Sequence, residues 1–232
     1  MTVPTGVLAK GEVIDFLIET KALKFGEFLL KSGRKAPYFI NTGCFDDGEK
    51  ISKLSDFYAA KIIELGLGEV DVVFGPAYKG IPLCVSTAMS LQRNFHKNVG
   101  FSFNRKEAKT RGEGGDFVGK PITKGTRVVL VEDVVTAGTT LQEMVPVLRD
   151  KLGVEIAGVI ILVDRAEKGS GSCSAVEEAE RDLGIKVTAI VTIHDIIDYL
   201  SVNNSSGFTI DAELKGRIEA YRSEYGVSCI AA

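Results

Sequence analysis

Four stretches of this chain, at 70–74, 128–131, 159–163 and 187–193, are almost continuously apolar where a half-exposed strand would alternate. Strands that read this way are buried on both faces, which is the habit of parallel sheets covered by helices. Helical periodicity falls between them, at 51–65, 81–91, 141–152 and 175–183, and 99–103 reads as one more strand. The alternation of strand and helix predicts an α/β fold with a central, mostly parallel sheet flanked by helices.

The ends depart from this repeat. An amphipathic helix at 12–23 is followed by "GEFLLKSGRKAPYFINTG", whose alternation around a Ser-Gly turn reads as two strands. Residues 1–45 are therefore expected to form a small N-terminal cap, or hood, on an α/β core at 46–200. A polar loop and a helix capped by Asp211 complete a single domain over 1–232.

A formal net charge of -3 gives no general attraction for nucleic acid or an anionic membrane. No apolar run approaches the ~20 residues that cross a bilayer, so a soluble, cytoplasmic protein is expected, with neither nucleic acid nor membrane as partner. Cys44, Cys84, Cys173 and Cys229 are scattered, with no C-x-x-C pair, and are read as reduced. His96 and His194 are too isolated for a nucleophilic or metal centre, and Asp195 reads as a helix cap. Tyr199 and Tyr221 read as packing residues.

In open α/β sheets ligands bind beyond the carboxyl ends of the strands, which directs attention to three loops. In "VVLVEDVVTAGTT" a buried strand ends on Glu132 and Asp133 and passes through Val134, Val135, Thr136 and Ala137 to Gly138, Thr139 and Thr140. A helix starting near Gly138 aims unpaired N–H groups at a phosphate, while the two carboxylates accept hydrogen bonds from sugar hydroxyls. Together they suit a ribose 5-phosphate. "FGPAYKGIP" is a turn in which Gly75 and Gly80 allow unusual backbone angles, Pro76 and Pro82 add stiffness, and Lys79 adds a cation suited to a second anion such as pyrophosphate. "FNRKEAKTRGEGGDFVG", 103–119, collects Arg105, Lys106, Lys109 and Arg111 among glycines and reads as a mobile flap that closes over a polyphosphate.

These loops, with "LKSGRKAPYF", closely resemble the type I phosphoribosyltransferase family and, within it, the orotate phosphoribosyltransferases. The resemblance runs from about Leu23 to about Tyr225. It implies Mg²⁺-dependent transfer of ribosyl 5-phosphate from 5-phosphoribosyl 1-diphosphate (PRPP) to N1 of orotate, giving orotidine 5′-monophosphate and pyrophosphate in pyrimidine biosynthesis. It further implies that Glu132 and Asp133 hold the ribose hydroxyls, and that 135–140 cradle the 5-phosphate. Tyr78, Lys79, Arg105, Lys106 and Lys109 then assist pyrophosphate departure. Lys31 lies near both substrates, Phe39, Ile40 and Thr136 contact orotate, and Arg165 pairs with its carboxylate. Mg²⁺ is held through PRPP and water rather than by a protein ligand cluster, and a homodimer shares its active sites through the flap.

One departure affects the chemistry. The family's flap reads Lys-Asp-His where this chain has Lys109, Thr110 and Arg111. Arginine binds pyrophosphate as a permanent cation but cannot exchange a proton near neutral pH as histidine does. Two rival readings stay open at this level: a phosphoribosyltransferase for another base, and a regulatory protein that binds PRPP without turnover.

Overall fold

The computed structural model describes residues 8–30, 33–107, 115–135, 138–169, 171–202 and 204–227. In chain order its elements are α1 (Lys10–Glu19), β1 (Leu23–Leu29), β2 (Lys35–Ile40), α2 (Gly48–Glu64), β3 (Val72–Phe74), α3 (Gly80–Phe95), β4 (Gly100–Asn104), β5 (Phe117–Gly119), β6 (Arg127–Glu132), α4 (Thr139–Pro146), β7 (Glu155–Asp164), α5 (Ala175–Leu183), β8 (Val187–Thr192), α6 (Ile193–Leu200) and α7 (Ala212–Tyr225). Past Pro146 the α4 helix continues as a π-helical turn, Val147–Lys151.

Six strands form one sheet in the order β5-β4-β3-β6-β7-β8, parallel throughout except for β5 at its edge. Because strand side chains alternate between faces, the apolar runs feed two cores. Val73, Val129, Val131, Ile160, Leu162 and Ile190 join the core that includes α1, α2 and α6. Val72, Phe74, Val128, Leu130, Val159 and Ile161 join the one beneath α4 and α5. Each such side chain contributes roughly 1.5–3 kcal/mol when fully buried. A strand apolar at every position is thus what a two-faced sheet requires.

The cap is α1 with the antiparallel pair β1 and β2. Val13, Ile14 and Leu17 of α1 are fully buried in the same core as the sheet. The helix ends before the predicted 23 because Leu23 pairs with Ile40 as a strand residue. At the other end Asp211 caps α7 by accepting a hydrogen bond from the Leu214 amide. The α6 cap is reciprocal: Thr192 is the N-cap, and Asp195 returns a bond to the Thr192 amide. Tyr199 does more than pack, since its hydroxyl donates to Asp15 of α1.

Two expectations need correction. The flap segment 103–119 is not loop throughout: Phe103 and Asn104 end β4, and Phe117–Gly119 pairs antiparallel with it. Phe117 packs edge-on against Phe74, and the Arg105 amide donates to the Asp116 carbonyl at the neck of the loop. Gly75 and Gly80 are required for a different reason from the one expected, because neither lies in the left-handed region. A Cβ on Gly75 would stand 1.9 Å from the Gly80 carbonyl oxygen, so two backbones touch where only glycine fits. Pro82 lies in the first turn of α3, where its missing N–H costs nothing.

Candidate active site

Strand order reverses between β3 and β6. From β3 the chain proceeds outward to β4, then returns to place β6 on the other side of β3 and continues to β7 and β8. The crevice above such a switch point is where open α/β sheets bind ligands. A cleft of about 1040 Å³ opens there.

On one wall, the loop after β3 faces the end of β6. Lys79 Nζ lies 2.8 Å from Asp133 Oδ2 and 3.0 Å from Thr42 Oγ1, and the Thr42 hydroxyl donates to the same carboxylate oxygen. Glu132 Oε1 accepts from the Asp133 amide, and the buried Tyr58 hydroxyl donates to the Glu132 carbonyl at 2.7 Å, fixing the strand end. Burial opposes charge on both acids. For Glu132 it combines with the neighbouring Asp133 charge to push the carboxyl up to about 8. For Asp133 burial is outweighed by the hydrogen bonds from Lys79 and Thr42, which hold it below the usual carboxylate range. Tyr78 projects from the same loop, 72% exposed, after a cis Ala77–Tyr78 peptide bond.

The opposite wall is built by the turn after β7. Asp164 accepts from the Ala166 amide at 2.8 Å, and Ala166 takes a left-handed conformation. This Asx-type turn points Arg165 and Glu167 into the cleft. The Arg165 guanidinium lies against the Tyr38 ring of β2, 4.9 Å from its centre, and donates to Glu167. Phe39 and Ile40 line the same cleft, and the Phe39 ring stacks on Phe28.

The floor is the start of α4. Gly138 is its N-cap with φ of 69°, a conformation that favours glycine, and Thr140 reaches the cleft. Val134 and Val135 line it as well. The cleft therefore brings together Phe39, Ile40, Tyr78, Lys79, Glu132, Asp133, Val134, Val135, Thr140 and Arg165. Gly138 and Thr139 sit at the helix start, whereas Arg105 and Lys106 lie past the end of β4, outside the cleft lining. Lys31, Lys109, Arg111, Thr136 and Ala137 fall outside the described residues, as does Cys229.

Sequence reasoning missed Thr42, Tyr38, Arg34 and Glu167. The one local signal was an acid two residues from Arg165 just past a strand end, though the turn that brings the two together, with Ala166 left-handed, is not readable from that spacing.

Residues 42–193 match the phosphoribosyl transferase domain family model. The chain is 47% identical over 217 residues to the orotate phosphoribosyltransferase of Yersinia pestis, covering 94% of this chain and 97% of that one. It is 45% identical over 219 residues to that of Lachnoclostridium phytofermentans, covering 94% and 97%. The crystal structure of the Francisella tularensis orotate phosphoribosyltransferase superposes with a TM-score of 0.81 at 36% identity, covering 93% of this chain and all of the other. The chain belongs to the orotate phosphoribosyltransferase family. Its fold is that of the type I phosphoribosyltransferases, and its activity is that of a pentosyl-transferring enzyme. Among the described residues no helix is long and apolar enough to cross a membrane, and no group of three or more His, Cys, Asp or Glu side chains could by itself hold a metal ion.

Proposed function

We propose that the cleft transfers ribosyl 5-phosphate from PRPP to N1 of orotate with the roles divided between its walls. The observation that carries this reading is the Lys79–Asp133 pair at 2.8 Å, at the switch point and across from Arg165. Asp133 and Glu132 hold the ribose hydroxyls as positive charge grows on the ring, and the α4 start with its threonines cradles the 5-phosphate. Lys79, Tyr78, Arg105, Lys106, Lys109 and Arg111 stabilise the departing pyrophosphate. Lys31, Phe39, Ile40 and Thr136 contact orotate, and Arg165 takes its carboxylate with a planar fork of donors. No covalent nucleophile is needed.

Mg²⁺ fits this set: it prefers oxygen ligands, keeps several waters, and binds through substrate phosphates with one or two carboxylates. On the wall that carries Lys79, Glu132 and Asp133 are the carboxylates that line the cleft. When bound, the ion neutralises charge on the leaving pyrophosphate. The working unit is a homodimer in which the flap of one subunit reaches the other's cleft. Mixing Lys109→Ala with Asp133→Ala protein, each inactive alone, then restores turnover; no recovery excludes sharing.

The primary test is the initial rate of orotate loss, followed by ultraviolet absorbance, with PRPP and Mg²⁺, beside uracil and hypoxanthine. Loss of orotate alone is expected. Turnover of another base overturns the assignment, and PRPP binding without any turnover favours a ligand sensor.

A further inference from the structure

Three hydrogen bonds converge on one carboxylate oxygen in the wall facing Lys79. Glu167 Oε1 accepts from Arg165 Nη2 at 2.6 Å, from Arg165 Nε at 3.0 Å and from the Tyr38 hydroxyl at 2.8 Å. Its other oxygen lies 3.6 Å from Arg34 Nη1. Arg34 is anchored in turn, donating to the Lys168 carbonyl and lying 4.9 Å over the Tyr225 ring. The Arg165 and Glu167 side chains are each only 12% exposed. Burial, then the Glu167 charge, push the Tyr38 hydroxyl well above its ordinary value, so it stays a donor.

We propose that Glu167 is a positioning and specificity residue for the base: it fixes the plane of Arg165 and sets the charge of the wall. The inference rests on the reading that Arg165 receives the carboxylate of the base. A guanidinium is planar, with five N–H donors in a fixed fork. Glu167 uses the side formed by Nε and one Nη2 hydrogen, and the Tyr38 ring covers a face. The edge formed by Nη1 and the remaining Nη2 hydrogen then has one orientation, and a carboxylate meets it with two parallel bonds. Without Glu167 the long side chain would sample several rotamers, and ordering them would fall on each binding event.

Charge counting gives the specificity. Within the cluster Arg34 and Arg165 carry two positive charges and Glu167 one negative, leaving it one positive charge in a poorly hydrated place. Asp164 behind it is turned onto the Ala166 amide, and burial raises its carboxyl towards the neutral form. A base with a single carboxylate brings the cluster to neutrality. A neutral pyrimidine leaves an unpaired cation, which a buried site penalises. Glu167 thus does for the base what no residue touching only the ring could do.

The test measures KM for orotate and for PRPP separately in Glu167→Gln, Arg165→Ala and the double variant. Loss of a charge-assisted contact predicts a rise of about tenfold or more in orotate KM for each single variant. PRPP KM should stay within twofold, and the double variant should be no worse than Arg165→Ala, because residues that act through one another are non-additive. An unchanged orotate KM in Arg165→Ala would overturn the reading of Arg165 itself. A raised value there with Glu167→Gln within twofold of wild type would overturn only the present inference, and so would additive effects. A merely structural role would lower thermal stability and affect both substrates alike. If Glu167→Gln does not fold, Tyr38→Phe replaces it: it removes one donor to Glu167 and should raise orotate KM a few-fold with PRPP KM unchanged, and no rise refutes the proposal.

Discussion

The two walls of the cleft both pair a cation with a carboxylate, yet they are built for opposite purposes. Lys79 is 62% exposed along its side chain and reaches Asp133 through a flexible stem, whereas Arg165 is 12% exposed, stacked on Tyr38 and locked to Glu167. A partly solvated ammonium can leave its partner at little cost; a buried guanidinium held on two sides cannot. The first wall is therefore suited to exchanging partners as phosphates and sugar hydroxyls arrive. The second presents a fixed template.

Each side of this contrast can be broken. Asp133→Asn keeps the shape and removes the charge that the proposed mechanism sets against the ribose. Its kcat should fall roughly 10²–10³-fold, the usual effect of removing one preorganised electrostatic group, and a loss under threefold in steady-state assays would remove Asp133 from the reaction. Stability separates the walls next. Arg165→Met should cost about 3 kcal/mol, the lower end for a broken buried pair because Tyr38 and Arg34 still face Glu167. Lys79→Met should cost less, about 1–2 kcal/mol, because the buried Asp133 loses one charged donor but keeps the Thr42 hydroxyl and faces a solvated cleft. Equal shifts in urea midpoint would erase the distinction.

The smallest effect concerns pH. The Glu132 carboxyl is raised in the folded state, from 4.5 to about 8, by burial and by Asp133. Its contribution to stability is thus fully present below 4.5 and is lost as pH rises through about 8. Asp133 is lowered, so its contribution is lost only in acid, as pH falls through its folded value. The windows do not overlap. Urea unfolding of Glu132→Gln from pH 5 to 8 should show a flatter decline than wild type, and parallel curves would place Glu132 in a more solvated site than the one described.

The sequence made the locked wall harder to read than the adjustable one. Glu132, Asp133 and Lys79 sit at strand ends or beside glycines, where their chemistry is conspicuous against the local pattern. The apolar runs, too, showed their two-sided burial directly, as Val128 and Val129 of neighbouring positions went to opposite cores. Glu167 looked like one more loop charge in "DRAEKG", and Tyr38 like one residue of an amphipathic strand, because the contact that defines them spans 129 positions. Strand β5 was hidden for a related reason: three residues beside a glycine-rich loop become a strand only when β4 offers an edge. Close approach of Gly75 to Gly80 is equally a tertiary fact, invisible in a motif that merely contains two glycines.

The registers of the central strands explain the depth of the cleft. At Phe74 of β3 the partners are Ser102 on β4 and Leu130 on β6, and both neighbours run two residues further, to Asn104 and Glu132. The sheet therefore has a notch, one strand wide and about 7 Å deep at ~3.3 Å per residue. Asn104 lends its side chain to the Ala77 amide across that gap, in place of the ladder a longer strand would have made. Lengthening β3 by two residues would complete the sheet and close this end of the cleft, for the open space lies where a more regular fold would have carried backbone.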